Sequence, residues 1–400
     1  MLTPAEAEKL IADHVAPFLR EDCPLTAAHG RILRQDIRAD RDLPPFDRVT
    51  MDGYALRSAS VAAGVRTFRV EAVQAAGQRR FLLGEAAEAC IEVMTGAMLP
   101  GDADCVVPYE DVARNGACIT LAPGVAPAAG AAVHRRGSDH AAGAVIVPAG
   151  TRLSAREIAV AAAVGAATLT VTVSPKIAVI ATGDELVDVD AIVAPHQIRR
   201  SNDHALRAAL VAAGYPRVER FHFRDIRHEI EHLLWHVMAE YDVVLITGGI
   251  SKGKFDFLPA VLDAQGVQKV FQGVAQRPGK PFWFGTSPRH TPVFALPGNP
   301  VSALTGLHRY VLPALARASG RAFTPRPVAL ATPVTQPSAL AWLPPVTLAS
   351  GPHAELLATL QPGNTSGDFA GLVGTDGFVE LPAGPAELPA GTLVRFWPWV

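Results

Sequence analysis

Long apolar runs are missing from this sequence. None reaches the ~18 residues that a membrane-spanning helix requires, and the Ala-rich stretch Ile158–Ala167 is short and broken by Gly165. Cysteine is scarce as well, with only Cys23, Cys90, Cys105 and Cys118 among 400 residues. No two of them form a C-x-x-C pair, and none stands with histidine at zinc-finger spacing. A disulfide framework does not suit a chain of this length, so the thiols read as reduced and the protein as cytoplasmic. No charge of one sign prevails: 36 Lys and Arg face 38 Asp and Glu, a formal net charge of −2. On that balance neither nucleic acid nor an acidic membrane is expected as a partner. The opening residues, MLTPAEAEKLIADHV, form an amphipathic helix pattern without the basic n-region or apolar h-region of a signal peptide. Tandem repeats and long low-complexity segments are lacking too. Any ligand signal must therefore be local.

What is abundant is apolar residue, 49% against 18% charged. A sizeable core is possible, and the length suggests roughly two to four domains. Residues 1–45 read as a helix and a strand ending in the turn at Pro44–Pro45. Residues 46–140 hold short apolar runs, such as Thr67–Val73 and Ala117–Leu121, separated by Gly and Pro. That pattern predicts a small, mainly β domain. Residues 141–175 read as strand, helix, strand. The next region is clearer. Lys176–Ala181, Val218–Phe223, Asp242–Thr247 and Val293–Leu296 read as strands, and Ser201–Gly214, Ile226–Glu240 and Phe257–Ala264 as helices. Ser201 or Asn202 is the expected cap of the first helix. Asn299 opens a further helix with Pro300 at its first position, where a missing N–H costs nothing. Apolar strands alternating with helices mean βαβ units and a parallel sheet covered on both faces. Beyond about residue 325 short β segments return. The fold class is thus α/β multidomain, a parallel-sheet α/β central domain with smaller α+β and mainly β domains.

Four loops follow strands of the central region. They are Thr182-Gly183-Asp184-Glu185, Thr247-Gly248-Gly249-Ile250-Ser251-Lys252-Gly253-Lys254 closed by Asp256, Arg277-Pro278-Gly279-Lys280-Pro281, and Pro297-Gly298-Asn299-Pro300 followed by Ser302. Ligands of open α/β sheets bind outside the carboxyl ends of strands. The loops share glycines for close backbone approach, cations for oxyanions and carboxylates for a metal. The Asn299 loop also opens a helix, whose free N–H groups favour an anion. Taken singly each is an ordinary Gly-Pro turn; together they predict a site for a phosphorylated, anionic small molecule.

Two motifs mislead. Gly248-x4-Gly253-Lys254 nearly spells a P-loop, but Phe255 stands where Ser or Thr should reach magnesium. His228-Glu229-Ile230-Glu231-His232 spells the zincin H-E-x-x-H, with His236 one turn on. At ~100° per residue Ile226, Ile230, Leu233, Leu234 and Val237 share one face, which leaves the histidines on a solvated side. In the second region Met51-Asp52-Gly53-Tyr54-Ala55, Thr95-Gly96 and Arg135-Arg136-Gly137-Ser138-Asp139 are each, alone, ordinary turns.

In their order along the chain, MDGYA, MTGAMLPGDADCVVPYED, RRGSD, TGDEL, the SND helix start, TGGISKGKFD, RPGKPFWFG and ALPGNPVSA resemble the MoeA family, the molybdopterin molybdenumtransferases, which include the E domain of gephyrin. The resemblance spans essentially the whole chain and is strongest from residue 175 to 305. It implies an elongated homodimer. Each subunit would divide into an α/β catalytic domain at 1–18 and 175–325, a linking α/β domain at 19–45 and 140–174, a mainly β domain at 46–139 and a C-terminal β domain at 326–400. The implied reaction takes adenylylated molybdopterin and molybdate, hydrolyses the phosphoanhydride with Mg²⁺, releases AMP and delivers molybdenum to the dithiolene. On the resemblance Asp52, Thr95, Asp139, Glu185, Asp225, Asp256 and Lys280 are catalytic, with Asp52 and Thr95 reaching in from the neighbouring subunit. Substrate would be bound by Thr182, Gly183, Gly248, Gly249, Ser251 and Lys254, and by Arg277, Pro297, Gly298, Asn299, Ser302 and Ser366. Lys280 and Ser302 match positions that would hold molybdate. Asp184, Glu185, Asp225 and Asp256 supply candidate magnesium ligands. The adenylyltransferase and acceptor apoenzymes are the implied protein partners.

Two departures from the family pattern bear on the oxyanion. Arg277 stands where the family usually has lysine, and the stretch Ala341–Val346 lacks the arginine the family usually carries there. The expectation is that Thr365 and Ser366 alone must compensate. Rival readings are a molybdopterin-binding scaffold paralogue with little or no turnover, a generic nucleotide or sugar-phosphate transferase, and a zinc hydrolase.

Overall fold

The computed structural model describes residues 1–250, 257–361, 363 and 365–400. At its centre is a six-stranded sheet in the order Val218–Phe223, Ile177–Thr182, Val243–Thr247, Pro292–Leu296, Trp283–Thr286, Gln268–Gln272. The first four strands are parallel, and Trp283–Thr286 runs antiparallel to both its neighbours. The sequence reading passed over the last two strands. Trp283–Thr286 is only four residues, all buried, and so short a run carries no usable period.

Every residue of Ile177–Thr182, Val243–Thr247 and Pro292–Leu296 is buried. The runs are continuous because helices cover both faces. On one face Val179, Leu245 and Phe294 pack with Leu206, Leu315 and Ile11. On the other, Ile180 and Ile246 pack with Ile230, Leu234 and Val261. Ile11 belongs to the N-terminal helix Pro4–His14, which starts with a capping box. The Thr3 hydroxyl accepts from the Glu6 N–H at 3.2 Å, and the Glu6 carboxylate accepts from the Thr3 N–H at 2.7 Å. A cap of this kind contributes about 1 kcal/mol. It fixes the start of a helix whose Ala7 and Ile11 complete the central core.

A second six-stranded sheet runs Cys105–Pro108, Gly53–Leu56, Ala89–Val93, Thr67–Gln74, Cys118–Leu121, Val112–Asn115. Arg20–Pro24 pairs with Thr168–Thr172, and Ile37–Arg38 with Val145–Val147. Arg326–Leu330, Leu356–Leu360, Pro345–Ser350, Gly377–Glu380 and Leu393–Pro398 close into a barrel. Three parts meet at Arg309, whose side chain is wholly buried. Its Nη1 donates to Glu8 of the N-terminal helix at 2.8 Å, and its Nε to Glu380 of the barrel at 2.7 Å.

The fold is α/β multidomain, as the alternating runs imply. Among the described residues no helix is long and apolar enough to cross a membrane. All four cysteines are free. Burial pushes the Cys90 and Cys105 thiols up to about 12, so they stay protonated and unreactive at neutral pH.

Candidate functional site

The carboxyl ends of the parallel strands open onto a cavity of about 640 Å³. Thr182, Gly183, Gly248, Gly249, Pro297, Gly298 and Asn299 all lie on its wall. Three of the four loops close on one another there. The Thr182 hydroxyl donates to the Thr247 carbonyl at 3.4 Å. Gly248 has φ +93°, and a Cβ on it would come within 2.8 Å of the Thr182 carbonyl oxygen. Only glycine lets these two strand ends approach so closely. A smaller cavity of about 350 Å³ lies at the opposite end of the sheet, among Glu240, Asp242, Arg289 and His290.

The start of the Asn202–Ala212 helix is the part that sequence reading missed. Ser201 is in the cap position, yet no side chain caps this helix. Asn202 turns across the cavity instead. Its Nδ2 donates to the Gly298 carbonyl at 2.7 Å and to the Thr247 hydroxyl at 3.1 Å, joining the helix start to two loops. Arg199, Arg200 and Asp203 also line the wall. Asp203 is wholly buried, and its Oδ2 accepts from Arg220 Nη1 at 3.2 Å. Asp203 Oδ1, Asn202 Oδ1 and Arg200 Nε are buried without partners. Such atoms cost about 1–3 kcal/mol each when left unpaired. Gathered beside a cavity, they suit a polar ligand that supplies the missing bonds. The available signal was Arg200 and Asp203, two charges flanking a helix start that a cap does not require.

Carboxylates converge on the same wall. Glu185 and Asp225 line it. Asp184 is exposed, and its Oδ1 accepts from the Asp225 N–H at 3.2 Å and lies 3.5 Å from Arg224 Nε. Mg²⁺ is usually held by one or two carboxylates plus substrate phosphates, so Glu185 and Asp225 are a donor set that fits it. Among the described residues no group of three His, Cys, Asp or Glu is arranged to hold a metal by itself.

The Asn299 loop differs from expectation. The Asn299 side chain does not cap its helix; its Nδ2 donates to Ser366 Oγ at 2.8 Å. The Val301 N–H donates to the Ser366 carbonyl at 3.1 Å. One N–H expected to be free for an anion is therefore taken by the barrel segment, which brings Gly367 to the cavity wall. Ser302 is buried within the Pro300–Gly306 helix and is not part of that wall.

Residues 2–165 match the MoeA N-terminal region (domain I and II), and residues 178–317 match a probable molybdopterin binding domain. A molybdopterin molybdenumtransferase of Synechocystis is 38% identical over 400 residues, covering 100% of both chains. Another, from Synechococcus elongatus, is 33% identical and covers 99% of each. Two crystal structures of a MoeA protein from Pyrococcus horikoshii match over 100% of this chain, with TM-scores of 0.82 and 0.83 at 31% and 26% identity. The chain belongs to the MoeA family. It is a transferase of molybdenum cofactor biosynthesis.

The other expected MoeA site residues fall in different places. Ser251, Lys254 and Asp256 lie outside the described residues. Lys280 is exposed, and the next residue, Pro281, reaches the cavity wall. Arg277 is half-buried at the other end of that loop, its guanidinium 4.5 Å over the Trp342 ring. The stretch Ala341–Val346 thus receives the guanidinium of Arg277 across the paired strands. Asp52, Thr95 and Asp139 do not line the cavity within one chain. The Thr95 N–H and hydroxyl donate to Asp52 Oδ1 at 2.7 and 2.9 Å. The backbone bond, and then the hydroxyl, hold that carboxyl below its ordinary range. Asp139 Oδ1 lies 2.9 Å from His134 Nε2.

The H-E-x-x-H helix, Arg227–Glu240, exposes His228, His232 and His236. Its buried stripe is Ile230, Leu234, Val237 and Met238, while Leu233 is 38% exposed. The expected inclusion of Leu233 was wrong. The stripe follows i, i+4, i+7, i+8 and leaves i+3 at its solvent edge.

Proposed function

We propose that this cavity binds adenylylated molybdopterin, that its phosphoanhydride is hydrolysed there to release AMP, and that molybdate is then delivered to the dithiolene. The observation that carries this reading is the meeting of three glycine loops, Asn202, Glu185 and Asp225 on one cavity at the strand ends. Thr182, Gly183, Gly248, Gly249, Pro297, Gly298 and Asn299 shape the wall for the substrate, and Ser251 and Lys254 join them as substrate-binding residues. Arg277 and Lys280, with Ser366, receive the oxyanion; Ser302, buried within its helix, is left out of that set. A magnesium ion held by Glu185 and Asp225, with Asp184 and Asp256 as further ligands, would neutralise the anhydride charge. Positioning and charge neutralisation suffice for such a reaction, so no covalent nucleophile is needed.

Asp52, Thr95 and Asp139 do not line the cavity within one chain, which suits a homodimer whose neighbouring subunit supplies Asp52 and Thr95. Mixed dimers of Asp52→Ala and Lys280→Ala chains should then regain partial activity; dimers that form and stay inactive refute the shared site. The same reading includes the four-domain division, the adenylyltransferase and acceptor apoenzymes as partners, and a cytoplasmic location.

The deciding experiment supplies adenylylated molybdopterin, Mg²⁺ and molybdate, and follows AMP release and apoenzyme reconstitution separately. Glu185→Gln and Asp256→Asn should each lower AMP release about 10–100-fold, with partial rescue by excess Mg²⁺. Lys280→Ala should raise the molybdate concentration needed for insertion, with less effect on AMP. A wild-type protein that releases no AMP overturns the reading.

A further inference from the structure

The loop that reaches the cavity at Pro281 begins on a short parallel pairing of Gln276–Arg277 with Ala341–Trp342, the segment just ahead of the barrel strand Pro345–Ser350. Gln276 lies opposite Ala341, and Arg277 opposite Trp342. The backbone here is held from both sides. The Leu343 N–H donates to the Arg277 carbonyl at 2.8 Å, and the Ala341 N–H to the Ala275 carbonyl at 2.9 Å. The buried Gln276 side chain accepts from the Tyr310 hydroxyl and donates to the Pro278 carbonyl at 3.0 Å. Arg277 therefore starts from a fixed point. Its guanidinium lies over the Trp342 ring with centroid distance 4.5 Å, and its Nε is buried without a partner. Among the described residues no carboxylate lies within ion-pair distance of it. A half-buried cation without a carboxylate is costly unless an anion arrives.

We propose that Trp342 is a positioning residue for oxyanion binding: its indole face holds the Arg277 guanidinium at the sheet–barrel junction, with its N–H edge free for a tetrahedral dianion such as molybdate or tungstate. This rests on the functional reading above and deepens it. A guanidinium lying on an indole keeps its donors in one plane, directed outward past the ring, where they can pair with two oxygens at once. Lysine in its place would supply the charge without the planar stack, so the indole makes arginine the fitting residue here. Trp342 touches no substrate itself; it acts through Arg277.

The test uses the full chain and compares Trp342→Ala, Trp342→Phe, Arg277→Lys and the Trp342→Ala/Arg277→Lys double variant. The readouts are the molybdate concentration giving half-maximal insertion, the maximal insertion rate, tungstate affinity by calorimetry, and thermal midpoint. Trp342→Ala should raise the half-maximal molybdate concentration and weaken tungstate about 3–30-fold, the span of a cation–π contact expressed as a binding ratio. The maximal rate should change far less. Trp342→Phe should recover most of the affinity. In the Arg277→Lys background, Trp342→Ala should add less than about twofold, because the partner it positions is gone. If Trp342→Ala lowers the thermal midpoint but leaves oxyanion affinity within about twofold, or if the two effects multiply fully, Trp342 is only a structural contact. A wild type that inserts molybdenum beside an unmoved Trp342→Ala sinks this inference alone. A wild type that binds neither oxyanion sinks the functional reading as well.

Discussion

Arg309 and Arg277 each lay a guanidinium on a tryptophan of the C-terminal barrel region, at 4.3 Å over Trp397 and 4.5 Å over Trp342. Their surroundings differ. Arg309 is fully buried and bonds two carboxylates, Glu8 and Glu380, that come from distant parts of the chain. Arg277 is half-buried, and no described carboxylate pairs with it. The same stack thus fastens three parts of the fold in one place and presents an uncommitted charge in the other. On the function proposed above, what separates a structural cation from one left for a ligand is the identity of its counter-ions, not the aromatic beneath it.

Removing the fastening cation should have the largest effect. Arg309→Met leaves Glu8 and Glu380 facing each other across a space shaped for a guanidinium. A loss of about 3–5 kcal/mol is expected, read as a fall in the urea midpoint with an unchanged slope. Molybdate dependence of the folded variant should match the wild type. A variant that keeps its stability but needs more molybdate would put Arg309 in the same class as Arg277 and break the comparison.

The next effect concerns the neighbour of Arg309. His308 is buried against Trp399, with Nδ1 2.9 Å from the Leu304 carbonyl and Nε2 accepting from the Val400 N–H at 3.2 Å. Burial lowers its pKa from 6.5 to about 4. The folded protein keeps the ring neutral, while the unfolded chain takes up a proton near the ordinary value. The stability this provides is complete above that value and is lost as the pH falls towards the folded value. At about pH 5 the loss should approach 2 kcal/mol. His308→Gln should flatten that part of the stability–pH curve, measured by urea unfolding at neutral and acid pH. An unchanged curve would mean that the ring already titrates near its ordinary value.

Much of this was legible in the sequence, and for a physical reason. Ile177–Thr182 and Val243–Thr247 are buried on both sides, so their runs are continuous and the parallel sheet shows through. The glycine loops announce themselves because Gly248 must let Thr182 approach. Side-chain roles were harder to read. Asn202 looked like a helix cap, because Ser and Asn at a helix start usually are, yet its amide serves two loops distant in sequence. Arg277 and the cation-free stretch Ala341–Val346 looked like two separate departures from the family pattern. Only the parallel pairing of Gln276–Arg277 with Ala341–Trp342 makes them one feature, and no local pattern encodes a pairing across that separation.

The smallest effect should come from the most conspicuous motif. His228, His232 and His236 supply a third cluster of basic side chains, with neither the carboxylates of Arg309 nor the stacked, fixed geometry of Arg277. All three are exposed. The His232 and His236 rings meet edge to face at 4.6 Å between centroids. Among the described residues no third acidic, histidine or cysteine ligand completes a metal site there. Replacing both His228 and His232 by Ala should therefore keep AMP release and molybdenum insertion within about twofold and stability within about 0.5 kcal/mol, as for ordinary surface changes. Metal analysis should find no stoichiometric zinc in the wild type. A large loss of turnover together with the loss of one bound zinc per chain would make the helix a catalytic element after all, and the basic surface of this protein could no longer be sorted by its counter-ions alone.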